Sequence, residues 1–315
     1  MRKVVLVIVF LLAMLSAIAK TAENGLLWNN VDVRGRQMAV FSLFTDSRGL
    51  VWVGTNNGLF GYDGFSTFPA DPTGANNAQI YSIVEHDGKL YAGTNNGIFT
   101  YDLSTGKISF PEGDFPMEIR SLLHNGDELL IGSLYNVFLY NLKDGSLRDI
   151  SQGLPHKSVY ALLRDRRGVI YAGTYDGLAR WNVAKGVFEP VDVKCAAKNG
   201  GNLFVNAIAE DTDGSLWLGT EGALIHFNPV SDKAENDIRF DGLTIKSLAP
   251  ADDGKLLVGT DAGLIIRDGD STYRYRHDSS DRQSIADNEI WSLMTDRKGN
   301  VWAGTETGVS MASDS

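Results

Sequence analysis

A seven-bladed β-propeller of four-stranded antiparallel blades is the all-β fold this sequence predicts, and three observations predict it. The stretch Trp52-Val53-Gly54-Thr55-Asn56-Asn57-Gly58-Leu59-Phe60 returns almost unchanged as Tyr91-Ala92-Gly93-Thr94-Asn95-Asn96-Gly97-Ile98-Phe99. Anchored on the glycine before Thr or Ser, it occurs seven times, at Gly54, Gly93, Gly132, Gly173, Gly219, Gly259 and Gly304. The spacings are 39, 39, 41, 46, 40 and 45 residues, and a period near 40 with strand patterns in each unit marks a radial array. Lastly, the seventh copy lacks a fourth strand, while residues 26–31 form an apolar strand that belongs to no copy. That N-terminal strand is expected to close the last blade, which leaves only short, protected sheet edges.

In chain order, residues 1–19 come first. Arg2 and Lys3 precede an uncharged, mostly apolar run, and Ala17-Ile18-Ala19 fits a small-x-small cleavage site, so a secretory signal peptide is expected. The run is short of the roughly 20 residues a spanning helix needs. No Cys lies near the cleavage site, which argues against a lipoprotein, and no other stretch approaches membrane length. The propeller then takes up 25–315 as one domain in an exported, periplasmic chain.

Each repeat opens with an apolar run 13 or 14 residues before its glycine, as in Val40-Phe41-Ser42-Leu43 and Ile290-Trp291-Ser292-Leu293. Most copies follow with a turn of the form Asp-x-x-Gly: Asp46-Ser47-Arg48-Gly49, Asp165-Arg166-Arg167-Gly168, Asp296-Arg297-Lys298-Gly299. Gly supplies positive φ there and Asp caps the turn. The second strand carries a large residue two before the glycine (Trp52, Tyr91, Leu130, Tyr171, Trp217, Leu257, Trp302). The pleat puts both on one face, so a bare backbone lies where a neighbouring blade must approach. Third strands follow at 59–62, 98–101, 178–181 and 224–227, and weaker fourth strands at 65–68, 107–110, 147–150, 187–191, 238–240 and 272–276.

Composition narrows the function. Without Arg2 and Lys3, the remaining 27 basic residues face 39 acidic ones, and an acidic domain with no basic stripe is a poor partner for nucleic acid. The single Cys195 forms no internal disulfide, and without a nearby His it is not read as a catalytic thiol. His86, His124, His156, His226 and His277 lack metal-ligand spacing and are read as scattered. Glu210-Asp211-Thr212-Asp213-Gly214 does not complete a calcium loop. The box Asp213-Gly214-Ser215-Leu216-Trp217 is similar to that of sialidases but has no arginine trio or Tyr–Glu pair beside it. Gly-Thr-Asn-Asn-Gly precedes no helix, so it is not a phosphate loop. No catalytic residue, metal or cofactor is expected.

Successive turns of a meander alternate between the two faces of the disc. The turns from second to third strand share one face with the links between blades, which are the longest and most varied segments. Binding is expected there. The candidate ligand residues are Arg36, Gln37, Asn57, Asn77, Asn96, Tyr135, His156, Tyr175, Glu221, Asn288 and Glu306. Tyr135 and Tyr175 occupy turn tips where no hairpin rule asks for an aromatic, whereas Asn57 and Asn96 also suit a hairpin before Gly.

The unit "apolar strand, Asp-x-x-Gly, large-x-Gly-Thr-x-x-Gly-Leu", carried by 46–59, 165–178 and 296–309, resembles the two-component-regulator propeller repeat. Repeat three departs most, with Ser133 for Thr and Asn136 for Gly, and repeat five has Ala223 after Gly222. The resemblance covers essentially 25–315. It implies the periplasmic sensor region of Bacteroidetes hybrid histidine kinases, in which two propellers precede an immunoglobulin-like domain, a membrane helix and a kinase. It therefore implies a non-catalytic sensor for a small molecule or oligosaccharide, with a second propeller or a sensor kinase as partner. With one propeller ending at Ser315, the chain is not expected to carry a signal across a membrane itself. An exported scaffold for another envelope protein is the alternative reading, and a propeller lyase or glycosidase the third.

Overall fold

The structure, a computed structural model, describes residues 26–313 apart from 34, 36, 75–76, 194–202 and 252–253. The expected signal peptide at 1–19, Arg36 and Cys195 therefore lie outside the described residues. Among those described, the strands form seven four-stranded antiparallel sheets. Their inner strands are Val40–Thr45, Ile80–His86, Ile119–Asn125, Val159–Arg164, Val205–Glu210, Ile245–Pro250 and Ile290–Thr295. Each inner strand touches the next, and the seventh returns to the first, so the ring is closed.

Closure is by the expected strand. Trp28–Val31 pairs with Val309–Ala312 in the register Trp28↔Ala312 to Val31↔Val309, completing the seventh sheet. Trp28, 2% exposed, packs into the core shared by the sixth and seventh blades.

The anchor glycines are the points of blade-to-blade contact. A Cβ at any of the seven would stand 2.5 to 2.9 Å from the first side chain of the next inner strand: Ile80, Ile119, Val159, Val205, Ile245, Ile290 and, across the closure, Val40. Only a bare backbone admits that approach. The small residue two places into the inner strand stitches the same seam. Ser42 Oγ donates to Ile80 O (3.0 Å) and Ser292 Oγ to Val40 O (3.1 Å), while Ser82 and Ser121 Oγ accept from Leu122 N and Leu162 N (both 3.0 Å). Apolar side chains fill the rest: Trp52 and Leu59 of blade one meet Ile80, Ile83, Leu90 and Phe99 of blade two. At about 1.5–3 kcal/mol for each large side chain buried, these seams dominate the stability of the ring.

One fourth strand is not where the sequence puts it. In blade five it is Lys233–Asp237, paired with Leu224–Asn228, and 238–240 is a 3-10 turn. Four of the five residues of this edge strand are polar, so it leaves no apolar signal. The apolar pair beyond it is split by the turn, with Phe240 buried and Ile238 exposed. Asp237 caps that turn by accepting from Arg239 N at 3.2 Å.

Candidate functional site at the mouth of the ring

Every blade carries the same irregularity where its inner strand begins. Val40 pairs with Thr55 but Ser42 with Gly54, leaving Phe41 as an extra residue, and the same shift occurs at Tyr81, Arg120, Tyr160, Asn206, Lys246 and Trp291. A β-bulge re-aims a side chain, and bulges gather beside functional sites. Here seven bulges set one side chain per blade at the ring's axis, on the face of the second-to-third-strand turns and inter-blade links.

These side chains meet one another across the blades. The Phe41 ring lies 5.3 Å from Tyr81 and 5.6 Å from Trp291, centroid to centroid. The Arg120 guanidinium sits 3.9 Å over Tyr81 and the Lys246 ammonium 3.6 Å over Trp291. The result is an aromatic arc, Trp291–Phe41–Tyr81, with a cation stacked at each end. Glu118 meets Arg120 at 2.7 Å and Glu289 meets Lys246 at 2.7 Å. Arg120 Nε is buried without a hydrogen-bond partner. Burial pushes the Tyr81 and Tyr160 hydroxyls above the usual phenol range, so both remain neutral donors and acceptors at pH 7.

A second aromatic group continues the rim over blades four and five. Tyr160 lies 4.3 Å from Phe204, Phe204 lies 5.3 Å from Tyr175, and Tyr175 lies 5.2 Å from His156. Two of the expected ligand residues are thus joined in one cluster. Glu306 is tied to the first arc, accepting from Trp291 Nε1 at 2.7 Å. Asn57 and Asn77 line a separate cavity of about 260 Å³ between blades one and two, with Met38, Phe99 and Asp71. Tyr135 (55% exposed), Asn96, Gln37 and Glu221 are exposed at turn or link positions. Asn288 is half-buried and accepts from His277 N at 2.9 Å, so it holds a link together. The bulged ring itself is absent from the sequence expectation. Its signal is positional: Phe, Tyr, Arg, Tyr, Asn, Lys and Trp fill one repeat position between an unvarying Val or Ile and a Ser or Ala.

The opposite face is spent on itself. The Asp46 carboxylate, fully buried, accepts from Arg48 N, Leu50 N and Trp52 Nε1 (2.9, 2.9 and 3.0 Å). Asp296 does the same with Lys298 N, Asn300 N and Trp302 Nε1. Ser47 reaches Glu85 of the next blade, and Arg166 reaches Glu210. On this face Asp211, Asp213 and His226 bring one possible metal-ligand atom each within 4.8 Å of the others. All three are already bonded, Asp211 to Trp217 Nε1 (2.7 Å) and both Asp213 and His226 to Ser215 Oγ (2.5 and 2.6 Å). The histidines are not all scattered: His86 and His124 meet across blades two and three, His124 Nε2 lying 2.7 Å from His86 Nδ1. Their separation of 38 residues is close to one repeat, which is why the fold brings them together.

The pattern of the two component regulator propeller matches residues 35–57, 153–176, 199–222 and 284–307. No curated protein sequence matches the chain. Among solved structures, it is similar to the extracellular domain of what is described as a hybrid two component system from B. thetaiotaomicron, at 36% identity and a TM-score of 0.87. That match covers 91% of this chain and 40% of the other. A second such domain from the same organism is 18% identical, with a TM-score of 0.79, covering 92% and 42%. The virginiamycin B lyase of Staphylococcus aureus shares the fold at 12% identity and a TM-score of 0.71, covering 92% and 100%. The chain thus spans about 40% of the length of the two-component relatives it matches.

Proposed function

We propose that this chain, which belongs to the two component regulator propeller family, is an exported recognition module that binds an oligosaccharide at the mouth of its ring. The similar domains of B. thetaiotaomicron are described as extracellular parts of two component systems, and this chain is read as the corresponding ligand-sensing part of such a system, in the periplasm. Among the described residues no helix is long and apolar enough to cross a membrane.

The observation that carries the ligand class is the ring of seven bulged side chains. A sugar presents C–H faces that lie on aromatic rings and hydroxyls that need paired donors and acceptors. The arc Trp291–Phe41–Tyr81 supplies the platform. Tyr160 and the Asn206 amide oxygen supply polar groups around it, the Asn206 amide nitrogen being bonded to Ile245 O at 3.0 Å. Both cations are already met by Glu118 and Glu289, and Glu221 and Glu306 add negative charge at the rim, so neutral sugars suit the mouth better than uronic or sulfated ones. Three of these four carboxylates, Glu118, Glu289 and Glu306, bond to Arg120, Lys246 and the Trp291 indole, which favours recognition over hydrolysis.

Calorimetric titration of neutral and acidic oligosaccharide panels tests this reading. A neutral oligosaccharide is expected to bind, with Trp291→Ala and Tyr81→Ala each weakening it by roughly 1–3 kcal/mol. Lys298→Ala, on the opposite face, should bind like wild type. Binding that survives both mouth substitutions, or is confined to acidic sugars, overturns it.

A further inference from the structure

We propose that His86 and His124 form a clip for a borderline transition-metal ion such as Zn²⁺, bridging blades two and three on the face opposite the mouth. The two imidazoles project from neighbouring inner strands, Ile80–His86 and Ile119–Asn125, with ring centroids 4.7 Å apart. His86 Nε2 faces the Asp87 carboxylate at 3.3 Å. A carboxylate behind one ring nitrogen holds the proton there and leaves the other nitrogen as a lone pair, the arrangement that orients metal-binding histidines. His86 Nδ1 is therefore the acceptor that faces His124 Nε2 at 2.7 Å. With the proton of His124 on Nε2, that nitrogen donates to it. When His124 carries its proton on Nδ1 instead, two lone pairs face each other, and a cation between them turns repulsion into coordination.

The donor set selects the ion. Two neutral imidazoles suit Zn²⁺, Ni²⁺ or Cu²⁺, whereas Ca²⁺ and Mg²⁺ want oxygen ligands. With Zn–N bonds of about 2.0–2.1 Å in tetrahedral geometry, the nitrogens stand about 3.3 Å apart, so the rings need to separate by only about 0.6 Å. Both lie at or beside hairpin ends, where such a shift disturbs little. Water completes the ion's coordination, and Asp127, bonded to Lys143 at 2.6 Å, adds negative charge within electrostatic reach of both rings. Because the two ligands belong to different blades, the ion ties a seam that is otherwise held by packing and by the Leu122 N–Ser82 Oγ bond.

Thermal melts of tag-free protein test the clip. With 1 mM ZnCl2 the melting temperature is expected to rise by about 5 °C, as for a ligand of micromolar affinity that binds only the folded state; 1 mM CaCl2 should leave it unchanged. His124→Gln should abolish the rise, and His226→Gln, which removes the blade-five nitrogen near Asp211 and Asp213, should keep it. NMR of the imidazole nitrogens gives a second readout, with Zn²⁺ moving the His86 and His124 signals together, even if a variant is poorly folded. No rise with Zn²⁺, a rise that persists in His124→Gln, or one lost only in His226→Gln overturns the proposal.

Discussion

At the end of each inner strand, Asp46, Asp165 and Asp296 turn inward and accept hydrogen bonds from their own hairpins; at its start, Phe41, Tyr160 and Trp291 turn toward the axis on a bulge. The same seven strands thus produce two faces of different character. On the first, carboxylates, indoles and guanidinium groups are committed to turns and to neighbouring turns. On the second, aromatic side chains line the axis, while Arg120, Lys246 and the Trp291 indole are met by carboxylates beside them. The repeat keeps its residues constant where blades hold each other and lets them vary where no blade claims them. The variable position is therefore the better guide to binding, and the constant one to stability.

The strongest way to break this division is to open the ring. Deleting residues 26–32 removes Trp28 and the strand that covers Val309–Ala312, exposing a sheet edge. Aggregation, or a melting temperature lower by many degrees, is expected in scanning calorimetry. Next in size is Gly304→Val. Its side chain would have to enter the space of Val40, 2.6 Å from the ideal Cβ position, and about 1–3 kcal/mol of overpacking strain is expected in urea unfolding.

Asp46→Asn probes the spent face. Burial alone would raise the pKa of Asp46 and Asp296, but the bonds from Trp52, Arg48 and Leu50 to one, and from Asn300, Trp302 and Lys298 to the other, hold both below the usual carboxylate range. Carboxylates of lowered folded-state pKa stabilise fully above the ordinary value of about 4 and lose that contribution as pH falls through the lower folded value. Wild type should therefore lose more stability between pH 5 and pH 2 than Asp46→Asn, which starts about 1–3 kcal/mol lower at pH 7. Parallel curves for the two proteins would show that the carboxylate is not part of the acid response. The smallest effect on the fold is expected at the open face. Tyr135→Ala and Tyr175→Ala should melt within about 1 °C of wild type while weakening a bound ligand by roughly 1–3 kcal/mol.

Much of this was legible in the sequence because seven copies repeat one physical constraint. The glycine two residues beyond a Trp, Tyr or Leu marks a close approach, and the structure shows what approaches: the first β-branched residue of the next blade. The closing strand was legible because 26–31 was left over in the count. The Lys233–Asp237 strand was not, since an edge strand whose one apolar residue is Ala234 has no hydrophobic pattern to display. The mouth was half legible. Turn tips such as Tyr175 and Glu306 reveal their place through the meander, but Phe41 and Trp291 read as ordinary members of an apolar strand, and only the bulge separates them from it. The His86–His124 pair was hidden for a related reason: residues one repeat apart are distant in sequence and adjacent in space.

The closing strand also has a mechanical meaning. Trp28–Val31 and Val309–Ala312 run antiparallel, with Trp28 beside Ala312, so the chain enters and leaves the ring side by side, on the face away from the mouth. Tension applied through the two flanking segments would load the four paired rungs one after another, beginning at Trp28↔Ala312, as a zip fastener is opened from its tab. A ring fastened in this way opens rung by rung when its two ends are pulled apart, while a pull across any other blade must act on all of that blade's rungs together.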